Sequence, residues 1–131
     1  MTVVDTSVWI DYFNGTSTAE TDRLDQLLGQ QTLIIGDLIL TEVLQGFRRQ
    51  RHFEQAQQLM QRFPVVTMLG PVLAIRSAQH YRQLRQRGIT IRKTIDVMIG
   101  TSCIALELPL LYSDRDFDPM VQYLGLQSAL F

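Results

Sequence analysis

The sequence predicts an α/β fold in three layers, with a mainly parallel, twisted sheet of four to five strands flanked by helices. Short runs of apolar, often β-branched residues suit buried strands, and they alternate along the chain with longer segments of helical periodicity. Strands that alternate with helices imply right-handed βαβ crossovers, which make the sheet mainly parallel. No internal repeat, linker or low-complexity segment interrupts the pattern, so residues 1–131 are expected to form a single domain.

Four apolar runs are the predicted strands, and a fifth run is a candidate edge strand. In chain order they are Val3–Val4, Thr32–Ile35, Val65–Thr67 and Leu110–Tyr112, with the segment from Leu126 onward as the candidate edge strand. The first strand is followed by Asp5. In an open α/β sheet, ligands bind at the carboxyl ends of parallel strands, so Asp5 lies where chemistry is usually placed.

The helices are predicted from apolar residues at helical spacing and from residues that favour helix ends. Ser17 and Glu20 form a predicted capping box for the second helix. On the long fifth helix, small and aromatic side chains are predicted to line one face, namely Ala74, Ala78 and Tyr81. The predicted helices begin near Thr6, Ser17, Asp37, Phe53, Pro71, Thr94 and Asp118, the last two of which are predicted caps.

The composition excludes several classes of protein. A single cysteine, Cys103, excludes an internal disulfide and a cysteine-based zinc cluster, and it is expected to be a small core residue. No charged segment precedes an apolar one at the start of the chain, so no signal peptide is expected. No run of about 18 apolar residues predicts a membrane span. A cytoplasmic protein without membrane association is therefore predicted.

The net charge of −1 conceals a strong asymmetry along the chain. Residues 1–42 contain seven acids and one arginine, and residues 94–131 contain five acids and one arginine. Residues 43–93 contain ten basic residues and one acid, and the basic set includes Arg48, Arg49, Arg85 and Arg92. A basic middle between acidic ends indicates a polyanionic partner, and solvated helix faces are an equally good explanation on charge alone.

The helix that begins at Thr94 is apolar on nearly all sides, which predicts that it is buried. Asp96 lies in its first turn, where an acid gains about 0.3–1 kcal/mol from the helix dipole. A buried carboxylate costs several kcal/mol unless it is paired or bound to a metal, and no basic residue follows at helical spacing. Gly100, one turn later, is predicted to leave space above the carboxylate. These observations favour a functional role for Asp96 over a capping role.

Acids also follow the fourth strand, in the run from Asp114 to Asp118. This Asp-x-Asp-x-Asp spacing suggests a calcium loop, but Pro119 and Gly125 stand where an EF-hand needs Gly and Glu. The EF-hand interpretation therefore fails. Asp118 is explained as a helix cap before Pro119, whereas Asp114 and Asp116 have no such explanation.

Four acids from distant parts of the chain are expected to converge at one sheet edge: Asp5, Glu42, Asp96 and Asp114. Two carboxylates about 4 Å apart repel by about 4 kcal/mol at an effective dielectric of 20, so such a cluster needs a cation. Oxygen ligands without His or Cys select Mg²⁺, or Mn²⁺ as a substitute, over zinc. Beside a basic surface, the reaction expected of this site is metal-assisted hydrolysis of a phosphodiester.

Four segments in order resemble the PIN-domain ribonucleases, and most closely the VapC toxins of bacterial toxin–antitoxin pairs. The segments are Asp5–Ser7, Thr41–Gly46, Ile95–Ile99 and Tyr112–Phe117. The resemblance covers the whole chain and implies a single PIN-like domain over residues 1–131. It also implies a Mg²⁺-dependent endoribonuclease toxin acting on RNA, commonly a homodimer, that a VapB-type antitoxin silences in a hetero-oligomer.

The resemblance maps the family's acids onto Asp5, Glu42, Asp96 and Asp114, with Asp116 as an occasional further metal ligand. We expect Asp5 and Asp96 to bind the metal directly. Glu42 and Asp114 would complete its shell, partly through water, and orient the attacking water. Thr6 or Ser7 would hydrogen-bond a carboxylate or a phosphate.

Two alternative functions share some of these sequence features. A phosphotransfer enzyme of the haloacid-dehalogenase type needs a second Asp two residues after the first, and Ser7 stands there. A non-catalytic α/β module that binds nucleic acid or a partner protein is the second alternative. The set of acids counts against that alternative, because a binding module for a polyanion gains nothing from carboxylates in its cleft.

Overall fold

A four-stranded, all-parallel sheet forms the centre of the computed structural model, which describes residues 1–130. The strands are β1 (Thr2–Val4), β2 (Leu33–Gly36), β3 (Val65–Val66) and β4 (Leu110–Leu111), arranged in the order β3-β2-β1-β4. Seven helices surround the sheet: α1 (Thr6–Phe13), α2 (Ala19–Gln30), α3 (Asp37–Gln45), α4 (Gln50–Met60), α5 (Pro71–Gln86), α6 (Thr94–Ala105) and α7 (Asp118–Leu124). The predicted α/β architecture is confirmed.

The first strand lies in the middle of the sheet. Val3 aligns with Ile34 of β2 on one side and with Leu110 of β4 on the other, and β1 is buried along its whole length. The backbone N–H of Asp5 donates to the carbonyl of Leu111 at 2.8 Å, so the ladder continues to the residue after the strand. The central strand therefore delivers Asp5 to the middle of the sheet's carboxyl edge.

The candidate fifth strand is present only as an isolated bridge. Leu110 aligns in parallel with Ser128, donates its N–H to Gln127 at 2.9 Å and accepts from the N–H of Ala129 at 3.0 Å. These bonds cover the outer edge of β4 without extending it into a fifth regular strand. The end of the predicted segment, Phe131, lies outside the described residues.

Three predicted helix caps are wrong, because a different residue occupies the cap position in the structure. The second helix is capped by a reciprocal pair of threonines, Thr18 and Thr21, rather than by Ser17 and Glu20, because the Thr21 hydroxyl supplies the returning acceptor. Thr94 is the first residue of α6 and not its cap. Asp118 does not cap α7, because a 3₁₀ turn over Arg115–Phe117 leads straight into that helix. Its carboxylate accepts from the Tyr112 hydroxyl at 2.7 Å instead.

The face of the fifth helix that carries Ala74, Ala78 and Tyr81 is not the face that packs against the core. Its buried residues are Ser77, His80 and Leu84, whereas Ala74 and Ala78 are exposed and Tyr81 is half-buried. Leucine and histidine bury more surface than two alanines, so the larger side chains determine the rotation of the helix. The predicted face lines a surface cavity of about 320 Å³ between α5 and α6.

The sixth helix is buried as predicted, but the space above Gly100 is not open. A Cβ atom at Gly100 would collide with the Met120 sulfur, so the side chain of α7 fills the gap that the glycine leaves. The glycine therefore serves close packing of α6 against α7. Cys103 is a core residue as expected, and burial raises the pKa of its thiol to about 12. Among the described residues, no helix combines the length and the apolar character needed to cross a membrane.

Candidate active site

Asp5 is held in place by the start of the first helix. It is the N-cap of α1, and its Oδ2 atom accepts from the backbone N–H of Ser7 at 3.0 Å and from the Ser7 hydroxyl at 2.6 Å. The Ser7 hydroxyl also accepts from the N–H of Ser113, at 3.3 Å, which ties the loop after β4 to the end of β1. These contacts orient the carboxylate and connect two neighbouring strand ends.

Asp5 and Asp96 each keep one buried oxygen without a partner. Only 3% of Asp5 and 5% of Asp96 is exposed to solvent. Five buried side-chain atoms in the described part of the chain lack a hydrogen-bond partner, and two of them are carboxylate oxygens: Asp5 Oδ1 and Asp96 Oδ2. A buried, unpartnered carboxylate oxygen is costly, so both positions are expected to have a ligand.

The acids influence one another's ionisation. Burial raises the pKa of Asp96 to about 7, and the negative charges of Asp5 and Asp114 add to the increase, while Lys93 opposes it. Burial also raises the pKa of Asp5; the hydrogen bonds from Ser7 oppose this shift, and the charge of Glu42 adds to it. Asp5 and Asp96 therefore each lie in the field of neighbouring acids, which is the condition that a bound cation relieves.

Glu42 reaches the site from the third helix. It is half-buried, and its Oε1 atom accepts from the Thr6 hydroxyl at 2.7 Å. This bond joins the first turn of α1 to the middle of α3. The expectation that Thr6 or Ser7 hydrogen-bonds a carboxylate is met by both residues, Thr6 on Glu42 and Ser7 on Asp5.

Asp114 and Asp116 form the outer side of the cluster. Asp114 caps the 3₁₀ turn, and its Oδ1 atom accepts from the backbone N–H of Asp116 at 3.0 Å. One ligand oxygen from each of Asp96, Asp114 and Asp116 lies within 4.8 Å of the other two. These three acids are the tightest carboxylate group among residues 1–130, and Asp116 belongs to it more closely than the sequence suggested.

The structure thus places Asp5, Glu42 and Asp114 where their negative charges act on Asp96. The group of ligand oxygens within 4.8 Å of one another contains Asp114 but not Asp5 or Glu42. Five carboxylates with only oxygen donors suit a hard divalent cation such as Mg²⁺ or Mn²⁺, and the two unpartnered buried oxygens leave it places to bind. The residues present therefore fit a divalent metal. No histidine takes part, because His52 is exposed and His80 bonds Thr101 in the core at 2.8 Å.

The sequence did not identify one contact at this site. The Nε atom of Arg92 lies 3.0 Å from Oδ2 of Asp116. The sequence places Arg92 only in the basic middle of the chain, and nothing in the spacing of 24 residues links it to Asp116. The one sequence signal for this contact is the position of Arg92, two residues before the helix that carries Asp96.

The sequence and the fold have counterparts among known proteins. A sequence model described as the PIN domain matches residues 2–121. A VapC ribonuclease of Mycobacterium bovis and ribonuclease VapC11 of Mycobacterium tuberculosis are each 26% identical over 133 aligned positions, which cover 100% of this chain and 99% of the relative.

A solved structure with the same fold is VapBC2 from Rickettsia felis bound to a DNA fragment from their promoter. The superposition has a TM-score of 0.76 at 16% identity and covers 96% of this chain and 95% of the other. At that identity the likeness shows the fold alone.

Proposed function

Since this chain belongs to the PIN-domain family, we propose that it is a metal-dependent endoribonuclease of the VapC toxin type, which hydrolyses phosphodiester bonds of RNA. The observation that carries the proposal is the pair of buried, unpartnered carboxylate oxygens on Asp5 and Asp96 beside three further acids. A purely structural acid at either position would have its oxygens satisfied by the protein. The two mycobacterial ribonucleases that match over the full chain support the choice of RNA.

The roles of the acids follow from their surroundings. Asp5 and Asp96 have the free buried oxygens and are proposed as direct ligands of Mg²⁺, with Mn²⁺ as a substitute. Glu42 and Asp114 are only half-buried, so water can reach them, and they suit a role that shares the metal shell with water and orients the attacking water. A bound divalent ion would polarise the scissile phosphate and lower the pKa of that water.

A VapB-type antitoxin is the proposed protein partner, because the Rickettsia structure is a VapBC complex. Its proposed binding site is an apolar depression between α1 and α3, lined by Ile10, Phe13, Val43 and Phe47. Ile10 is 45% exposed and lies one turn after Thr6, which bonds Glu42. A segment bound here would lie close to Glu42, which neighbours Val43 on α3. A homodimer and a cytoplasmic location stay predictions.

Cleavage of a labelled, structured RNA tests the proposed activity. Purified protein stripped of metal should be inactive in EDTA and should regain cleavage with Mg²⁺ or Mn²⁺, whereas Asp96→Asn should stay inactive with either ion. Full activity of the wild type in excess EDTA would contradict the metal role. Binding of RNA without cleavage under all metal conditions would favour the non-catalytic module instead.

The antitoxin proposal is tested separately with Ile10→Glu, and Ile75→Glu serves as a matched control, because Ile75 is 64% exposed on α5 away from the depression. The cognate antitoxin, taken from the neighbouring reading frame, should lose affinity for Ile10→Glu and keep it for Ile75→Glu. Equal binding to both variants would place the antitoxin elsewhere.

A further inference from the structure

A positively charged side chain of this chain already occupies the outer side of the acidic cluster. Arg92 precedes α6, and its Nε–H donates to Oδ2 of Asp116 at 3.0 Å. Among the described residues this is the one ion pair between side chains. The Arg92 side chain is 74% exposed, so the contact with the acid is what holds it there.

The same acid belongs to the group that suits a metal. One oxygen of Asp116 lies within 4.8 Å of ligand oxygens from Asp96 and Asp114, and the buried Asp96 Oδ2 has no partner. The Arg92 guanidinium lies in the negative field of all three acids, which raises its pKa, with the hydrogen bond to Asp116 as the largest cause. A divalent ion bound among these acids would lie close to a fixed positive charge.

We propose that Arg92 is a built-in competitor of the divalent cation, so that metal binding and the Arg92–Asp116 contact oppose each other. This inference rests on the proposed function, because it concerns the same metal site. Two like charges within a few ångströms repel, and a carboxylate shared by a guanidinium and a metal cannot serve both fully. Metal binding should therefore release Arg92 from Asp116, and the intact contact should weaken the metal's affinity.

The competition has a reciprocal consequence. If metal releases Arg92, then whatever holds Arg92 away from Asp116 must strengthen metal binding by the same factor. The freed guanidinium has donors suited to a phosphate oxygen. While the Arg92–Asp116 contact is intact, the protein would therefore bind the divalent cation with lower affinity than the five carboxylates would have without Arg92.

Binding of Mn²⁺ alone tests the proposal, with the free ion measured by its electron paramagnetic resonance signal. Arg92→Gln should bind Mn²⁺ about fivefold more tightly than the wild type. Arg115→Gln is the matched control, because Arg115 is exposed, adjacent to Asp116 and without an ion pair in the described part of the chain. It removes the same charge and should change the affinity much less.

A double-mutant cycle separates the specific ion pair from general charge. In an Asp116→Asn background Arg92 no longer has its partner, so adding Arg92→Gln should change Mn²⁺ affinity by less than about twofold. An equal gain in both backgrounds, an equal gain in Arg115→Gln, or no gain in Arg92→Gln would each overturn the proposal. If Asp116→Asn binds no Mn²⁺, the comparison of Arg92→Gln with Arg115→Gln decides alone.

Other variants in the same titration show whether a failure of the Arg92 inference also contradicts the proposed function. Wild type that binds Mn²⁺ while Asp96→Asn does not, together with equal affinity in Arg92→Gln, would overturn the Arg92 inference and leave the proposed metal site standing. Failure of both the wild type and Arg92→Gln to bind Mn²⁺ would overturn the two together. Thermal unfolding of each variant in EDTA checks that the substitutions leave the fold intact.

Discussion

Asp5 and Asp37 occupy equivalent positions on neighbouring strands and have opposite surroundings. Asp5 follows β1 and caps α1, and Asp37 follows β2 and begins α3. Oδ1 of Asp37 accepts from the N–H of Leu38 at 2.9 Å and from the N–H of Met68 at 3.0 Å. Oδ1 of Asp5 is buried and has no partner among the described residues. One acid secures a loop, and the other faces the carboxylate cluster.

The difference shows that a strand-end acid is not by itself a functional signal. The ends of parallel strands gather side chains at one edge, but each carboxylate is either consumed by nearby backbone N–H groups or left open to a ligand. The loop after β3 brings the N–H of Met68 to Asp37, whereas α3 and α6 bring further acids to Asp5. Substitutions at the two positions should therefore separate stability from activity.

The largest expected effect is the loss of cleavage in Asp5→Asn and in Asp96→Asn. Substituting a residue that only supports a metal ligand typically costs about 10–100-fold, so loss of a direct ligand should cost about 100-fold or more. Asp37→Asn should retain activity close to that of the wild type. The three variants are compared by their initial rates on one labelled RNA at saturating Mg²⁺. Equal losses of rate in Asp5→Asn and Asp37→Asn would contradict the different roles assigned to the two acids.

The next effect is a pH dependence of stability in EDTA. The folded protein holds the Asp96 proton with a pKa of about 7, against 3.8 for the ordinary carboxyl, so the native state binds the proton more tightly than the unfolded state. Stability is then greatest below about pH 4 for this group and is lost as the pH rises to about 7. Between pH 5 and 8 the wild type should lose about 2–3 kcal/mol relative to Asp96→Asn.

Urea unfolding at several pH values in EDTA measures this loss. Asp37→Asn should follow the wild-type pH profile, because its carboxylate lies outside the cluster. Parallel profiles for the wild type and Asp96→Asn would mean that the Asp96 carboxyl is ionised without cost and that the acids do not crowd one another.

A smaller effect is expected at Asp37 itself. Asp37→Ala removes the acceptor of two backbone N–H groups, and the N–H of Met68 would lose its partner. The free energy of unfolding should fall by about 1–2 kcal/mol. Activity per folded molecule, measured after correction for the folded fraction, should be unchanged. A loss of activity without a loss of stability would mean that Asp37 belongs to the active site.

The smallest effects are expected on the basic middle of the chain. Single changes to alanine at Arg48, Arg49 or Arg85 should weaken RNA binding modestly and lower the salt slope of log K by about 1 for each phosphate that the protein no longer neutralises. Arg85 already lies 5.5 Å over the Tyr81 ring, so its effect should be the least of the three. RNA affinities measured at several NaCl concentrations test this prediction. Unchanged salt slopes in all three variants would mean that these basic residues form a solvated surface and do not contact RNA.

Strands, helix order and the convergence of the acids were predictable, because apolar periodicity and strand ends are local signals. Helix rotation was not, since the burial of His80 and Leu84 depends on how α5 meets α6. The filled gap at Gly100 depends on Met120, 20 residues later in the chain, and the Arg92–Asp116 pair likewise joins segments that no spacing rule connects. Asp5 was predicted at the site from its position after a strand and from the resemblance to a family. The sequence assigned no role to Asp37 beyond a helix start, because its bond to the N–H of Met68 joins distant parts of the chain.

The central claim is that the chain holds Asp5 and Asp96 in a crowded, buried cluster that a divalent cation stabilises, and thermal unfolding with and without Mg²⁺ tests it most directly. In EDTA, Asp96→Asn should melt at the same temperature as the wild type or higher, because it relieves repulsion. Mg²⁺ at about 100 times its dissociation constant should raise the wild-type melting temperature by about 10 °C and that of Asp96→Asn by much less. A mutant that melts lower in EDTA and gains as much from Mg²⁺ as the wild type would contradict the claim.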